Sequence, residues 1–305
     1  RRFFMSLIAL GTIALDNILT PSGLMKDLLG GSAAHFSMSA RLFTNVHLAG
    51  IIGTDFPKRH ISFLKKQGVN LDSVVEQEGK SFRWVGEYKD GDFNTAITIE
   101  TELGVLLSYE PQVMSEHRNI PNVFLANFDP DLQMKFLSLM DKPKFVGLDS
   151  MNLWIANKKD SVKKLMKKVD LFVLNDGEAT ALAEEKNLVN AAQKLLKMGP
   201  KIIVLKKGEH GVLVLSNSFR FAFPAFPVSK VVDPTGAGDT FAGGLMGYLT
   251  KVKTINEKNM RQAILYATSL ASYNVEGFGM RKTAPLTLKD VDQRKKELVT
   301  FISPV

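Results

Sequence analysis

Segments typical of strands and of helices alternate through the middle of this chain, and this alternation limits its fold more than any other feature. Short apolar segments predict strands at 123–126, 145–149, 171–175 and 202–206. Amphipathic segments among them predict helices at 131–140, 161–168, 177–184 and 188–198. Strands that alternate with helices assemble into parallel sheets. We therefore predict an α/β fold with a doubly wound, mostly parallel sheet and helices on both faces.

The flanking segments extend this pattern and interrupt it once. Before residue 70, strands are predicted at 3–13 and 46–52, and helices at 32–43 and 56–67. Between about residues 79 and 107, two strand-like segments flank the turn Lys89–Asp92, which indicates an antiparallel excursion. Toward the end, a hairpin is predicted at 212–226 and helices at 236–249 and 256–273.

The composition is typical of a globular protein and excludes several kinds of site. The 305 residues are 45% hydrophobic and 23% charged, proportions that leave little room for long disorder. The chain contains no cysteine, so a disulfide framework, a thiolate zinc site and a cysteine nucleophile are all excluded. The absence of cysteine also fits a reducing compartment, and we expect a cytoplasmic protein.

The charge balance is basic, with 39 Lys and Arg against 31 Asp and Glu. Nucleic acid and anionic small molecules are both partners that suit such an excess. The densest lysine run, 157–170, has the spacing of an amphipathic helix and lacks aromatic residues that could stack on bases. We therefore expect no nucleic-acid partner. No apolar run approaches 18 residues, so no membrane span is predicted, and the signal-like start at 1–10 is interpreted as a buried strand.

The most informative segment is 231–244, VVDPTGAGDTFAGG, in which two valines lead into a Gly-Ala-Gly turn and a helix rich in small residues. Glycines at a helix start leave backbone N–H groups uncovered, and with the helix dipole these groups form an anion site. Asp239 beside such a site is explained by a role as a catalytic base or a cation ligand. The alternative is a helix-capping aspartate. Neither a P-loop nor a Rossmann glycine motif occurs.

This segment resembles the C-terminal signature of the ribokinase-type carbohydrate kinases, the PfkB family. Five other segments resemble family blocks in the expected order: Gly11–Asp16, Gly30–Ala34, Gly50–Phe56, Asn175–Glu178 and Lys207–Gly211. The resemblance covers nearly the whole chain. It implies phosphoryl transfer from ATP to a hydroxyl group of a small sugar or polyol, with Mg²⁺ as the metal.

The resemblance also implies the catalytic residues. Asp239 corresponds to the base that accepts the hydroxyl proton, and Gly236, Ala237 and Gly238 correspond to the turn whose N–H groups stabilise the transferring phosphoryl group. An aspartate has an ordinary pKa of about 3.9, which is too low to remove an alcohol proton in advance. Orientation would then matter more than basicity.

Cofactor positions follow from the same resemblance. Asn175 and Glu178 match the motif that organises Mg²⁺, through water. Asp233 and Thr235 match positions that bind K⁺ in many members, and a K⁺ requirement stays open. The candidate nucleotide-binding residues are Asn175, Lys207, Gly208, Gly211, Thr235 and Asn274.

Candidate acceptor-binding residues lie in the first half of the chain. Asp16, Gly30 and Gly31 match family positions that hold substrate hydroxyls. His35 stands where many members have a substrate-binding asparagine, and it is either a substrate contact or a packed helix residue. Asn127 and Asn152 each follow a predicted strand, where they are either substrate contacts or ordinary loop residues.

The antiparallel excursion corresponds to the family's lid over the acceptor. We expect one ribokinase-like domain, 1–305, with a small β lid built from 12–30 and 79–102, and a homodimer formed through the lid. A nucleoside kinase is the alternative to a sugar kinase, with Phe82, Trp84 and Phe36 as candidates to hold a base. Packing between lid strands, or between subunits, is the other interpretation of Trp84. A third interpretation is a binding protein without catalytic activity. The intact motif around Asp239 argues against it.

Overall fold

A computed structural model describes residues 5–252 and 254–303 of the chain. The start of the strand expected at 3–13, and with it the first four residues of the signal-like segment, lie outside the described residues. The strands are β1 (Ser6–Leu10), β2 (Ala14–Thr20), β3 (Gly23–Gly30), β4 (Asn45–Gly53), β5 (Asn70–Gln77), β6 (Arg83–Lys89), β7 (Asp92–Glu102), β8 (Asn122–Leu125), β9 (Phe145–Asp149), β10 (Leu171–Asn175), β11 (Ile202–Lys206), β12 (Val212–Ser216) and β13 (Arg220–Phe223). The helices are α1 (Ser32–Ala40), α2 (Lys58–Lys66), α3 (Pro130–Ser138), α4 (Asn152–Asn157), α5 (Lys159–Met166), α6 (Asp176–Ala183), α7 (Leu188–Lys197), α8 (Ala237–Lys251), α9 (Glu257–Val275) and α10 (Leu288–Ile302).

The main sheet has the strand order β13-β12-β11-β10-β9-β8-β1-β4-β5. All neighbours from β11 to β5 pair in parallel, whereas β12 pairs antiparallel with both β11 and β13. The predicted mostly parallel α/β sheet is therefore confirmed. The bounds predicted for β9, β10 and β11 agree with the observed ones.

The central strands are apolar on both faces because helices cover both sides of the sheet. In β1, Leu7 and Ala9 pack into one cluster with residues of α1, α2, α8 and α9. Ile8 and Leu10 pack into a second cluster with residues of α3 to α7. Successive side chains of a strand point to opposite faces, so one helical layer lies on each side. None of the described helices combines the length and the apolar character needed to cross a membrane.

The separate small sheet that the sequence predicts is present, with the strand order β3-β2-β6-β7. The pairs β2–β3 and β6–β7 are antiparallel hairpins, and β2 joins them by pairing in parallel with β6. Two stretches of chain that are far apart in sequence, 14–30 and 83–102, thus build one sheet.

Each of these stretches leaves and rejoins the rest of the fold at nearly the same point. At the base of the first, the Thr12 N–H donates to Ser32 Oγ over 3.1 Å and the Ser32 N–H donates to Thr12 Oγ1 over 2.9 Å. At the base of the second, the Val105 N–H donates to the Lys80 carbonyl over 2.8 Å. Both connections to the small sheet are therefore closed by hydrogen bonds.

Helix α8 packs tightly between α1 and α9 because its small residues let the backbones approach. A Cβ on Gly243 would overlap the Phe36 carbonyl of α1, and Gly244 packs in the same way against α9. Ser39 Oγ of α1 donates to the Thr240 carbonyl over 2.7 Å. These contacts fix the position of the α8 N-terminus.

Three elements have no counterpart in the sequence-based prediction. The edge strand β5 mixes polar and apolar residues without a clear period, and α4 has only 6 residues. Helix α10 buries Val291 and Leu298, seven positions apart, so its apolar stripe is narrow. Weak periodicity explains why β5 and α10 were not predicted, and its short length explains why α4 was not.

Candidate active site

Three strands of the main sheet end in polar residues at the same edge. These residues are Asp149 of β9, Asn175 of β10 and Lys206 of β11. Asn175 and Lys206 are register partners, and Lys206 Nζ lies 3.3 Å from Asp149 Oδ2. In open parallel sheets, ligands bind at the carboxyl ends of the strands. This edge is therefore the candidate active site.

The N-terminus of α8 adds backbone donors to this edge. Gly236 caps the helix with a φ of 73°, a left-handed conformation that favours glycine. The Ala237 N–H donates to the Pro234 carbonyl over 3.1 Å. The N–H groups of Gly238 and Asp239 have no protein acceptor in the part of the chain that the structure describes, so they are available to an anion.

Asp239 lies in the first turn of α8, beside these donors. Burial raises the pKa of its carboxyl to about 7, the charge of Asp149 adds to this effect, and the Lys206 ammonium opposes it. Near neutral pH the carboxyl can thus exist with and without its proton, which is the property a general base needs.

Asn175 and Glu178 form a closed pair at the start of α6. Asn175 Oδ1 accepts from the Glu178 N–H over 2.7 Å, while the Glu178 carboxylate accepts from the N–H and the Nδ2 of Asn175, each over 2.8 Å. Burial raises the pKa of Glu178 to about 7, although Lys206 opposes the shift. Carboxylates are the ligands that Mg²⁺ prefers, so the Glu178 carboxylate is the group of this pair that could hold a Mg²⁺ ion.

Asp233 and Thr235 form a tight turn ahead of α8. Asp233 is fully buried, and its carboxylate accepts from the Thr235 N–H over 2.9 Å and from the Gly279 N–H over 3.0 Å. Asn274 is also fully buried; its Nδ2 donates to the Thr235 carbonyl over 2.8 Å, and its Oδ1 accepts from Thr240 Oγ1 over 3.0 Å. Asn274 therefore supports this turn from behind, and its expected contact with the nucleotide stays a prediction.

Asp16 of β2 brings another carboxyl group toward α8. It accepts from the Gly31 N–H and lies against Gly30, where a Cβ would overlap the carboxylate. Burial raises the pKa of Asp16 to about 8, and the charges of Asp233 and Asp239 add to this effect. Asp16, Gly30 and Gly31 therefore lie together, as the motifs indicated. A carboxyl group in this position can accept from or donate to a hydroxyl group.

Two aromatic residues of β6 lie on the face of the small sheet that carries Asp16. Trp84 is the register partner of Asp16; its ring covers Gly86, and its Nε1 donates to Thr98 Oγ1 over 3.1 Å. The half-exposed indole thus packs within the small sheet, over Gly86 and toward β7, on the same face of the sheet as Asp16. Tyr88 lies four residues after Trp84; it is buried, and its hydroxyl group accepts from Thr235 Oγ1 over 3.4 Å.

His35 and Phe36 of α1 lie behind the site. The His35 ring packs so closely on Gly236 that a Cβ there would overlap it. Although the Asn274 side chain lies nearby, neither ring nitrogen makes a hydrogen bond of good geometry within the described residues, and burial lowers the pKa of His35. This placement favours the packed alternative for His35. Phe36 is fully buried and stacks on Phe124 with ring centroids 4.3 Å apart, so it is a core residue rather than part of a base pocket.

The two candidate asparagines differ in their surroundings. Trp154 Nε1 donates to Asn127 Oδ1 over 3.1 Å, and Ser32 Oγ donates to the Asn127 carbonyl over 3.0 Å, so this residue is held in place beside the start of α1. Asn152 is exposed at the first position of α4.

The segment Lys207–Gly211 makes a tight turn after β11 that meets the small sheet. Gly208 and Gly211 have φ values of 54° and 88°, and the Lys207 N–H donates to the Gly211 carbonyl over 2.8 Å. Asn94 of β7 donates from Nδ2 to Glu209 Oε2 over 2.5 Å. The small sheet therefore contacts both the α8 turn and this loop.

Sequence reasoning missed three residues of the site: Asp149, Lys206 and Tyr88. Asp149 and Lys206 end strands whose bounds were predicted, so a polar residue at the end of a buried strand was the available signal. No sequence pattern marked Tyr88 as a site residue, because the alternation of side chains along β6 does not show which face of the small sheet lies toward the main sheet.

The fold and the site together define a class of protein. A mostly parallel sheet with an anion site at a helix N-terminus, clustered carboxyl groups and a small covering sheet is the arrangement of the ribokinase-type kinases. The model of the pfkB family of carbohydrate kinases matches residues 22–286. The chain belongs to this family, and it is an ATP-dependent phosphotransferase.

Individual proteins of known name are similar to this chain. A cytidine kinase of Thermococcus kodakarensis is 30% identical over 261 residues, which cover 83% of this chain and 91% of that protein. A nucleoside kinase of Burkholderia thailandensis, solved in complex with inosine, matches with a TM-score of 0.80 at 17% identity and covers 96% of this chain and 99% of its own. The ribokinase of Thermotoga maritima matches with a TM-score of 0.73 at 20% identity, with the same coverage.

Proposed function

We propose that this kinase transfers the γ-phosphoryl group of ATP to a hydroxyl group of a ribonucleoside. The observation that carries the proposal is the indole of Trp84, which covers Gly86 on the face of the small sheet that bears Asp16. A ribose hydroxyl held by Asp16 would bring the nucleobase next to this aromatic surface, where stacking contributes about 1–3 kcal/mol. The cytidine kinase and the inosine-bound nucleoside kinase support the same acceptor class.

A free sugar or polyol is the second candidate acceptor. Asp16, which accepts from the Gly31 N–H, would serve the hydroxyl groups of ribose as well as those of a ribonucleoside. The similarity of the fold to a ribokinase supports this alternative. The two acceptors differ in the role of Trp84, whose indole could stack on the π-face of a nucleobase, a group that a free sugar lacks.

The chemical step that we propose uses Asp239 as the base. The acceptor oxygen bonds to the γ-phosphorus as the bond from this phosphorus to the β–γ bridging oxygen breaks, and the hydroxyl proton passes to the Asp239 carboxylate. The N–H groups of Gly238 and Asp239 stabilise the charge on the transferring group. ADP and the phosphorylated acceptor are the products.

Cations complete the proposed site. Glu178, with Asn175, would hold the Mg²⁺ that neutralises the ATP phosphates. Asp233 and Thr235 are the residues that we propose for K⁺, because the buried Asp233 carboxylate has no cationic side chain among its described hydrogen-bond partners. Since the enzyme consumes ATP, we propose a cytoplasmic location.

We propose that the small sheet acts as a lid, and that two lids associate in a homodimer. The outer face of this sheet carries apolar side chains that are partly exposed to solvent: Leu19, Leu24, Ile97 and Ile99, with exposed fractions of 38%, 53%, 39% and 58%. Exposed apolar patches of this kind mark protein–protein contacts. A second copy of the same chain presents the same patch, which favours a symmetric interface.

The test of the acceptor is ADP release from ATP and Mg²⁺ with a panel of cytidine, inosine, adenosine, uridine, ribose, fructose and inositol, with and without K⁺. The Asp239→Asn variant serves as the blank, and mass spectrometry of the products locates the phosphate. We expect turnover with one or more nucleosides and little with free sugars.

Comparison of Trp84→Ala with the wild type adds a second criterion. For a nucleoside acceptor, loss of the indole should raise KM by about tenfold or more, because stacking is lost. If a free sugar is the best acceptor and Trp84→Ala leaves its KM unchanged, the nucleoside proposal is wrong and the sugar alternative replaces it.

A further inference from the structure

Lys206 is a charged residue at the centre of the site to which no motif assigns a role. It is the last residue of β11, and its side chain is only 19% exposed. Carboxyl groups from three other elements face its ammonium group: Asp149 at the end of β9, Glu178 in α6 and Asp239 in α8. Lys206 therefore lies where the carboxyl ends of β9 and β11 meet the N-termini of α6 and α8.

The same ammonium group lies close to the N-terminus of α8. A Cβ built on Gly238 would lie 3.0 Å from Lys206 Nζ, whereas the lysine Cε and Cδ would be 3.8 and 4.0 Å away. It is thus the charged end of the side chain that faces Gly238, across the space that a Cβ would occupy. This position is next to the two N–H groups that have no protein acceptor among the described residues.

The ammonium group of Lys206 stays protonated, and not all of its N–H donors are used by the described residues. Burial alone would lower the pKa of Lys206, but the attraction of Asp149, Glu178 and Asp239 outweighs this effect and raises it. A lysine ammonium has three N–H donors. Within the described residues only Asp149 accepts from it, over 3.3 Å, so two donors remain.

We propose that Lys206 is a catalytic residue that donates hydrogen bonds to the oxygens of the phosphoryl group during its transfer. The inference rests on the proposed function and extends it, since it adds a fixed positive charge to the N–H donors of α8. As the bond between the γ-phosphorus and the bridging oxygen breaks and the acceptor oxygen bonds, Lys206 stays protonated, and the hydroxyl proton goes to Asp239. Asp149 holds the ammonium group in place.

An alternative role for Lys206 is purely structural. Asp149 is 3% exposed, and a buried carboxylate needs a counter-charge. In that case the lysine would matter for stability and not for transfer. The two roles make different predictions for a variant in which both charges are removed.

The first experiment compares Lys206→Met with Lys201→Met. Lys201 precedes the opposite end of β11, is 79% exposed and pairs with Asp170, so it controls for the loss of a lysine on this strand. We expect Lys206→Met to lower kcat by about 10²-fold or more, the effect of removing one donor from an anion hole. KM for the acceptor should change little, and Lys201→Met should behave as the wild type. A kcat for Lys206→Met within about threefold of the wild type would overturn the proposal.

The second experiment adds Asp149→Asn to Lys206→Met. The double variant removes the Asp149 carboxylate together with the ammonium group that pairs with it, so we expect thermal stability to return toward that of the wild type while kcat stays low. Recovery of kcat together with stability would assign Lys206 the structural role and overturn the proposal.

Calorimetric titration with ATP and with ADP separates this inference from the choice of acceptor. Because Lys206 is proposed to contact the transferring group, Lys206→Met should weaken the binding of ATP more than that of ADP. If no acceptor is phosphorylated by the wild type but this difference in binding persists, the proposed acceptor class fails and the phosphate contact stands. Equal losses for ATP and ADP would contradict the contact.

Discussion

Asp239 illustrates what a motif supplies at the scale of one residue and what the fold adds. The sequence identified this residue as the candidate base, but an ordinary aspartate has a pKa of about 3.9. In the folded protein, burial and the neighbouring Asp149 raise the pKa of Asp239 to about 7. The environment therefore makes the carboxylate basic enough to take a proton near neutral pH.

Replacement of Asp239 by asparagine keeps the shape of the side chain but removes the proton acceptor. We expect kcat to fall by about 10²-fold or more, while calorimetry still detects ATP binding. Near-wild-type turnover in this variant would exclude Asp239 as the base.

The pH dependence of kcat/KM follows from two carboxyl groups. In the proposed mechanism, Asp239 must be ionised to accept a proton and Glu178 must be ionised to hold a cation. Burial raises the pKa of each to about 7. We therefore expect kcat/KM to rise with pH up to about 7 and to level off above it. A profile that stays flat down to about pH 5, where ordinary carboxyl groups are still ionised, would contradict the raised values.

Other site residues show why sequence alone is incomplete at this scale. Asp239, Glu178 and Asp16 could be found because they belong to contiguous motifs. Asp149 and Lys206 are 57 positions apart, and only the adjacency of strand ends brings them within 3.3 Å. Such a pair has no local signal, since the chemistry depends on strand order rather than on spacing along the chain.

At the scale of elements, the N-terminus of α8 depends on a glycine that is constrained twice. Gly236 has a φ of 73°, and the His35 ring occupies the space of a Cβ. We expect Gly236→Ala to lower the free energy of unfolding by more than the roughly 1–2 kcal/mol of the backbone conformation alone, as measured by urea denaturation.

Gly68→Ala is the matched control for this substitution. Gly68 also has a positive φ, 82°, but nothing lies within 4 Å of its Cβ position. Its substitution should show the cost of the backbone conformation alone. Equal losses at the two positions would mean that the His35 contact adds nothing.

The small sheet is attached to the main sheet by an arginine with two partners. Arg83 of β6 pairs with Asp27 of β3 at 2.7 Å and with Asp55, in the loop after β4, at 3.2 Å. We expect Arg83→Met to raise KM for the acceptor by up to about fivefold, since a partly exposed ion pair contributes up to about 1 kcal/mol. Lys80→Met, which breaks the more exposed pair with Glu102, is the control and should leave KM unchanged.

The predictability of elements followed the strength of their periodic pattern. Strands β9, β10 and β11 are short, apolar and bounded by polar residues, and their limits were predicted correctly. Edge strand β5 and helix α10 are half-exposed, so their patterns are weak. The parallel pairing of β2 with β6 was not predictable, because three strands and two helices lie between these segments in the sequence.

For the whole molecule, a histidine pair far from the motifs links stability to pH. His47 Nδ1 lies 3.2 Å from His117 Nε2, and Ser73 Oγ lies 2.8 Å from His117 Nδ1. Burial and the neighbouring His117 lower the pKa of His47 to about 4, and burial lowers that of His117 although Asp72 and Glu116 oppose the shift. The folded protein thus favours neutral rings.

Because the folded-state pKa of His47 lies below the ordinary 6.5, its contribution to stability is present above pH 6.5 and is lost as the pH falls toward about 4. The raised pKa values of Asp16, Asp239 and Glu178 act in the opposite direction. We therefore expect the difference in unfolding free energy between the wild type and His47→Gln to shrink as the pH falls through this range. A difference that does not vary with pH would contradict the assignment.

Association through the lids is the other prediction for the whole molecule. Ile97→Asp combined with Ile99→Asp places two charges on the outer face of the small sheet. If the lids form the interface, light scattering should show a dimer for the wild type and a monomer for this variant. A monomeric wild type would remove the dimer from the proposal.

The two hydrogen-bonded connections between the small sheet and the rest of the fold allow the small sheet to vary independently of the main sheet. Thr12 meets Ser32, and Lys80 meets Val105, so each excursion begins and ends at neighbouring points. A short loop could replace either excursion without changing the order of strands in the main sheet. The small sheet can thus become longer or shorter, or be exchanged, while the main sheet stays the same. Transfer of this small sheet between members of the family is a route to new acceptor preferences without a change in the catalytic residues.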